Sequence, residues 1–500
     1  MSKSTSKGAK PQILRKMGQF ESFQTSFYVM ELYCGTMIAC RYSIPEHLRD
    51  PSTHSKLVDT LERAVADTIS QHPLLQVGMV KEKSKRPAWA KIDSIDLAQH
   101  IEWRAVEGVE KYGGIRKDVI VRQLDTRFES LATRPGWRLV VLKLEYDNTL
   151  EVMFTWNHCN TDGTGGKIFH QTLLESLNNL KEKPDGPSLE NHIWKTTVSA
   201  QTMMPPQNVI AKYKLTPGYT ATTIWKELKP PVFAGKAEFA SWGPFKLTPR
   251  ETQIRTLSID NDTLQKVLAV CRSHKTTLTG LLHGIAFVSL APQLPEDQVA
   301  AMMGGTPLNL RRFIKANPPA YPWLEPNKIV GNFVTKMDHE FDKTLVVKVR
   351  DAARGAGTEA ERFSALEGEV WSTAVTVRRE LQDKLDLGLK NDAVGLMAVV
   401  GDWQKYQKDQ MKKPRHGSWM VTNVGVIDGQ PKGTSNGWSI QGSSFSLSAN
   451  VLASMFSIST VAVKGGDLAV DVSWQDHIVD AGVGERLSVD LKSWLNHIGS

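Results

Sequence analysis

His158 and Asp162 flank a Cys-Asn-Thr tripeptide and run directly into Gly163, which places an imidazole, a carboxylate and a side-chain-free residue in one short stretch. An imidazole with its ordinary pKa of about 6.5 takes a proton from a hydroxyl or amine at neutral pH. Asp162 would orient the turn and not touch a substrate. Gly163 permits a backbone conformation and a close approach that a Cβ would obstruct, and its N–H is suited to holding a developing oxyanion. The same residue types leave a structural reading open, with His158 satisfied by neighbouring backbone and Asp162 capping the next helix.

Two rival chemistries fail on spacing and a third on orientation. Thr164-Gly165-Gly166-Lys167 lacks the frame of a phosphate loop, which needs Gly at 161 and Ser or Thr at 168, where Thr161 and Ile168 stand. A metal site from His158, Asp162 and His170 finds no fourth ligand near in sequence, so no metal is expected. Cys159 adjoins His158, but neighbours at a strand end face opposite ways, and a buried small hydrophobe is the expected role.

The elements that position this cluster follow from periodicity. Val140, Leu142 and Leu144 alternate, Asp147-Asn148 offers a turn, and Leu150, Val152, Phe154 and Trp156 alternate again, so a β-hairpin ends at Asn157-His158. Ile168, Phe169, Leu173, Leu174, Leu177 and Leu180 then follow helical spacing, which puts the polar cluster in a strand-to-helix turn. Leu57, Val58, Leu61, Val65 and Ile69 predict an amphipathic helix stopped by Pro73. Later come a helix over about 276–290, a strand at 418–427, two strands about Lys464-Gly465-Gly466-Asp467, and a last helix through Val483, Leu487, Leu491, Trp494, Leu495 and Ile498. Without regular βαβ alternation, the expected class is α+β.

The 500 residues are 41% hydrophobic and 23% charged, a globular balance that excludes wholesale disorder and fibrous architecture. Net charge is +8, but five basic residues before the first acid, Glu21, supply +5 of it. No basic stripe with interleaved aromatics continues that start, which argues against nucleic acid as a partner. Cys34, Cys40, Cys159 and Cys271 show no paired metal spacing and suit a reducing compartment. No secretion signal or membrane-length apolar run is read, so a cytoplasmic location is expected. Seven of the 24 prolines, Pro205, Pro206, Pro217, Pro230, Pro231, Pro244 and Pro249, fall in one stretch where no regular helix is expected. The expected organisation is therefore a disordered basic arm at 1–18, a first lobe at 19–204, a Pro-rich crossover at 205–250 and a second lobe at 251–500.

His158-Cys-Asn-Thr-Asp162-Gly163 at the end of a hairpin strand resembles the His-x3-Asp-Gly motif of the acyl-CoA-dependent acyltransferase superfamily, which includes chloramphenicol acetyltransferase, plant BAHD enzymes, alcohol acetyltransferases and peptide-synthetase condensation domains. Supporting segments fall in the same order: Gln71-His72-Pro73-Leu74-Leu75, Pro135-Gly136-Trp137-Arg138-Leu139, Thr306 to Arg312 followed by Gly331-Asn332-Phe333, and Thr422-Asn423-Val424-Gly425. The Asp-Phe-Gly-Trp-Gly element of the plant branch is missing. Trp156-Asn157-His158 with Lys167-Ile168-Phe169-His170 is most similar to fungal O-acetyltransferases of the trichothecene 15-O-acetyltransferase group.

The resemblance implies two chloramphenicol-acetyltransferase-like α/β lobes around a central solvent tunnel, with His158 as general base. It implies no bound cofactor, acetyl-CoA or another acyl-CoA as co-substrate, a small hydroxylated acceptor such as a trichothecene-like terpenoid, and a monomer. Asp162 would be structural and paired with Arg311 or Arg312, and Thr422 and Asn423 would line the tunnel. Lys412, Lys413 and Arg415 are candidates for the coenzyme A phosphates, a solvated basic loop being the alternative. A condensation-type reaction with a carrier-protein thioester, or a non-catalytic carrier-binding module, is the competing expectation.

Overall fold

The computed structural model describes residues 11–180, 188–228, 243–297, 299–430 and 437–500. The hairpin takes the shape its alternation predicts, as β7 (Trp137–Leu144) and β8 (Thr149–Asn157). All nine residues of β8 are nevertheless buried, because helices cover both faces of its sheet. Val152, Phe154 and Trp156 pack with Leu61, Val65, Phe169 and Leu173 on one face, while Met153 packs with Val119, Ile120 and Leu124 on the other. Those helices are α2 (His54–Ser70), α4 (Gly163–Asn179) and α3 (Val109–Asp125).

The first large sheet runs β14-β2-β8-β7-β6, adding β2 (Gly35–Ser43), β6 (Ile101–Val106) and β14 (Ile440–Leu447). The second runs β10-β16-β15-β13-β11-β12: β10 (Thr252–Ile259), β11 (Met302–Asn309), β12 (Val334–Phe341), β13 (Trp419–Ile427), β15 (Phe456–Val463) and β16 (Leu468–Gln475). Small sheets join β1 (Ile13–Lys16) to β4 (Ala88–Lys91) and β3 (Val77–Val80), and β5 (Ser94–Asp96) to β9 (Ile193–Lys195). The second sheet packs on α7 (Asn261–Ser273), α8 (Leu278–Gln293), α9 (Lys343–Arg354), α10 (Glu359–Leu387) and α13 (Ala481–Ile498). Shorter helices are α1 (Gln19–Val29), α5 (Gln207–Ile210), α6 (Pro217–Leu228), α11 (Ala393–Leu396) and α12 (Trp403–Gln410). Among the described residues no helix is long and apolar enough to cross a membrane.

Three expectations need correction. The basic start is docked over part of its length: β1 pairs with β4, and Arg15 meets Glu21 at 2.7 Å and the Met204 carbonyl at 2.6 Å, while residues 1–10 lie outside the described set. The Pro-rich stretch contains helix α6, which has Pro217 as its first residue; there a missing N–H costs nothing. Pro230 and Pro231 lie outside the described residues. Finally, β14 comes from the second half of the chain yet completes the first sheet, pairing Ile440 with Tyr42 through Leu447 with Thr36.

Several histidines are sealed in this interior. Burial pushes His72 down to about 3, and His100 and His170 down to about 4. His283 is held well below its ordinary value by burial and by neighbouring His339; it accepts from Trp419 Nε1 at 2.9 Å and meets Thr306 Oγ1 at 2.8 Å. The unfolded chain protonates these rings near pH 6.5 and the folded chain does not, so their contribution to stability is complete above that pH and lost as pH falls below it. Denaturant midpoints measured from pH 7.5 to 4.5 are expected to hold down to about 6.5 and then decline steadily; a midpoint that does not fall would contradict neutral burial of these rings.

Candidate active site

Asp162 is the N-cap of α4, its Oδ1 accepting from the Gly165 N–H at 2.8 Å. The same carboxylate accepts from Arg311 Nη1 at 3.0 and 2.8 Å and from the Phe333 N–H at 2.8 Å. Arg311 is equally committed, donating from Nε to the Pro326 carbonyl at 2.9 Å and from Nη2 to Gly331 at 2.8 Å, with its guanidinium over the Phe333 ring. Exposure is 4% for Asp162 and 1% for Arg311, so the pair is buried with its hydrogen-bonding capacity used, the condition under which a buried ion pair is tolerated. Of the two candidate arginines, Arg311 takes this place and Arg312 is exposed.

The Gly331-Asn332-Phe333 segment does more than the sequence reading assigned to it. Asn332 Nδ2 donates to the carbonyls of His158 at 2.8 Å and Cys159 at 2.9 Å. Thr161 Oγ1 donates to the Gly331 carbonyl and accepts from its N–H, at 3.2 and 3.1 Å. The turn after β8 is thus clamped from the second half of the chain at 158, 159, 161 and 162. A polar Asn directly before an aromatic is the sequence signal, with nothing local to reveal its partner.

His158 is half-buried, with the rings of Phe20 and Tyr33 centred 6.4 and 6.0 Å away. Its Nδ1 is buried and makes no hydrogen bond of ordinary geometry. Burial lowers its pKa, opposed more weakly by its own carbonyl, the Asp162 charge and the Asn332 amide. At neutral pH the ring is therefore unprotonated and in the form of a base. The two aromatic neighbours come from α1 and the segment that follows it, far from the motif in sequence. Gly163 is used for closeness and not for φ freedom, since it is absent from the positive-φ positions. A Cβ there would lie 2.8 Å from Val424 Cγ1 and 2.9 Å from Phe445 Cζ.

The other candidates separate. Cys159 is buried, its thiol pushed up to about 12 by burial and lying 3.4 Å from Thr25 Oγ1, so it is no ready thiolate. Both ring nitrogens of His170 are engaged, by Tyr42 Oη and the Ile38 carbonyl. The metal-capable group among the described residues is Glu251, Asp476 and His477, which excludes His158, Asp162 and His170. Thr422 is buried and Asn423 exposed; Asn423 bonds Thr279 Oγ1 at 3.4 Å and the Gly425 N–H at 2.8 Å at a bulge in β13.

Lys412, Lys413 and Arg415 do not form one basic patch. Lys412 pairs with Asp409 at 2.7 Å on the surface, and Lys413 is half-buried. Arg415 is buried, tied to the carbonyls of Gly243, Ala453 and Pro244 and lying over the Phe245 ring, with burial lowering its pKa to about 10. It is a tie between loops, which corrects its expected role toward phosphates. Basic side chains converge elsewhere: Arg41, Arg116, Lys117 and Arg255 line a cavity of about 710 Å³ between the two large sheets.

Residues 114–337 match the alcohol acetyltransferase family, a span that includes the His158 turn, Arg311 and Asn332. A probable alcohol acetyltransferase of Fusarium pseudograminearum is 25% identical over 99% of this chain and 97% of its own length. Among solved structures, the trichothecene 15-O-acetyltransferase of Fusarium sporotrichioides superposes with a TM-score of 0.66 at 13% identity, covering 96% of this chain and 94% of that one. TRI101 of the same organism, solved with coenzyme A and T-2, gives 0.55 at 13%, covering 95% and 97%. The family match over residues 114–337, the full-length relative and the two-lobed fold agree in supporting an acyltransferase enzyme similar to the alcohol acetyltransferases.

Proposed function

We propose that this acyltransferase moves an acetyl or other short acyl group from acyl-CoA to a hydroxyl of a small secondary metabolite, such as a trichothecene-like terpenoid, with His158 as general base. The observation that carries the reading is the division of labour in the turn. Every oxygen lone pair of Asp162 in reach is spent on Arg311, Gly165 and Phe333, so the carboxylate serves architecture. His158 is left neutral beside the clamp, with its backbone carbonyl fixed by Asn332.

In the proposed reaction His158 takes the acceptor's hydroxyl proton as that oxygen attacks the thioester carbonyl. The tetrahedral adduct collapses, the C–S bond breaks, and the imidazolium returns the proton to the departing thiolate. No net proton or electron is consumed. The Phe20 and Tyr33 rings suit an acceptor with a hydrocarbon skeleton next to its hydroxyl.

The test is incubation of the purified protein with acetyl-CoA and a panel of hydroxylated terpenoids, polyketides and simple alcohols, following free-thiol release and product mass. Acceptor-dependent thiol release is expected. Turnover only with a carrier-protein thioester would replace this reading by the condensation-type one.

A further inference from the structure

We infer that Asn332 is the positioning residue of the His158 base: its amide oxygen holds the ring proton on Nδ1 and so leaves Nε2 bare for the acceptor's hydroxyl; this rests on the acyl-transfer reading above. Two buried atoms carry the assignment. Among the described residues, His158 Nδ1 and Asn332 Oδ1 both belong to the buried side-chain atoms that lack a hydrogen bond of ordinary geometry. Such atoms are costly to leave unpaired, and here one ring nitrogen can donate while the amide oxygen accepts.

The two are neighbours because of how the rest of Asn332 is used. Its Nδ2 donates to the His158 carbonyl at 2.8 Å and to the Cys159 carbonyl at 2.9 Å. Two carbonyl oxygens on one side of the amide fix which end is nitrogen, since an oxygen there would face two acceptors. The amide also favours the protonated form of the His158 ring; only an acceptor has that effect, so the atom turned to the imidazole is Oδ1. The backbone carrying this side chain is pinned on both sides. The Gly331 N–H donates to Thr161 Oγ1 at 3.1 Å and its carbonyl accepts from Arg311 at 2.8 Å, while the Phe333 N–H donates to Asp162 at 2.8 Å and its carbonyl accepts from the Leu310 N–H at 2.7 Å.

A neutral imidazole has one N–H and one lone pair, and the partner of one nitrogen decides which is which. A proton on Nε2 would block the base, and Nδ1, sealed from solvent, reaches no substrate. With Nδ1–H facing Oδ1, Nε2 takes the hydroxyl proton, the imidazolium keeps both N–H bonds until the tetrahedral adduct collapses, and the Nε2 proton leaves with the thiolate. The ring ends as it began. The titratable groups nearest to it are Asp162, whose charge is balanced by Arg311, and Tyr33 and Cys159, which burial keeps protonated. The His158 carbonyl also favours the protonated ring, and it is itself held by Asn332.

The experiment records the imidazole nitrogens of His158 by 15N NMR in the full-length protein labelled at histidine, with His158→Ala to assign the signals, and follows the pH dependence of kcat/KM for acetyl transfer. Asn332→Ala and Asn332→Asp are compared with the parent protein. Both variants lose the donor to the two carbonyls, so what separates them is the oxygen facing the ring. The parent is expected to show a protonated Nδ1 and a bare Nε2 at neutral pH. Asn332→Ala is expected to shift weight to the Nε2–H form and lower kcat by about ten-fold or more, with the KM for acetyl-CoA unchanged. It should also move the acidic limb of kcat/KM to lower pH, because an acceptor that favours the imidazolium is gone. Asn332→Asp, with a carboxylate beside Nδ1, is expected to keep the Nδ1–H form and move that limb to higher pH by about one unit. A parent ring protonated at Nε2 overturns the assignment without requiring any variant to fold. Two variants that share one tautomer and one limb also overturn it, reducing Asn332 to a tie on the His158 and Cys159 carbonyls. An Nδ1 proton that depends on Asn332, found without acyl transfer to any acceptor, keeps the assignment and removes the acyltransfer reading.

Discussion

His158→Ala is expected to lower kcat by about 10²–10⁴-fold, the range general base catalysis supplies, with the denaturant midpoint unchanged. The ring makes no hydrogen bond of ordinary geometry through Nδ1 and is only half-buried, so removing it strands no buried partner and opens no sealed core. Its structural tie is its carbonyl, which Asn332 continues to hold whatever the side chain. The measurement is steady-state acetyl transfer beside an unfolding curve of the same preparation. Turnover within a few-fold of the parent protein would remove His158 from the chemistry.

Arg311→Ala is expected to do the reverse, costing about 3–5 kcal/mol of stability because it leaves the Asp162 charge buried without its partner. The loss reaches beyond one ion pair, since Arg311 also satisfies the carbonyls of Pro326 and Gly331, and Gly331 and its neighbours hold the His158 turn. Lysine should not rescue, because a single ammonium cannot serve Asp162, Pro326 and Gly331 in the geometry of the guanidinium fork. Equilibrium unfolding in urea, with the m-value checked for constancy, reads the effect. A midpoint shift equivalent to less than about 1 kcal/mol would place the pair among weak surface contacts and contradict its burial.

What the sequence made legible was local. The β7–β8 hairpin, the α4 spacing and the strand-to-helix placement of His158 follow from alternation and periodicity over neighbouring residues, and the structure places them there. What it hid depends on contacts across hundreds of residues. Arg311 and Arg312 are adjacent and chemically identical, and only the 3-10 turn at Arg311–Phe313 selects which one faces Asp162. Arg415 read as available charge because its cover, Gly243 to Phe245 and Ala453, is remote in the chain. Strand β14 was missed because its serines interrupt the apolar alternation; they are polar because they face Arg116 and Asp471 between the sheets. The cavity's basic residues, at 41, 116, 117 and 255, share no sequence signal at all.

Strand β14 also sets a schedule for synthesis. The hairpin is complete once residue 157 has left the ribosome, but the edge of β2 stays unpaired until residue 447 follows, 290 residues later. At typical elongation rates of about 5–20 residues per second that interval is roughly 15–60 s. Throughout it a nascent sheet presents a bare row of N–H and C=O groups along Thr36 to Tyr42, the kind of edge that recruits foreign strands. Truncations before Ile440 make that interval permanent, so shortened chains should collect as aggregates and not as folded first lobes.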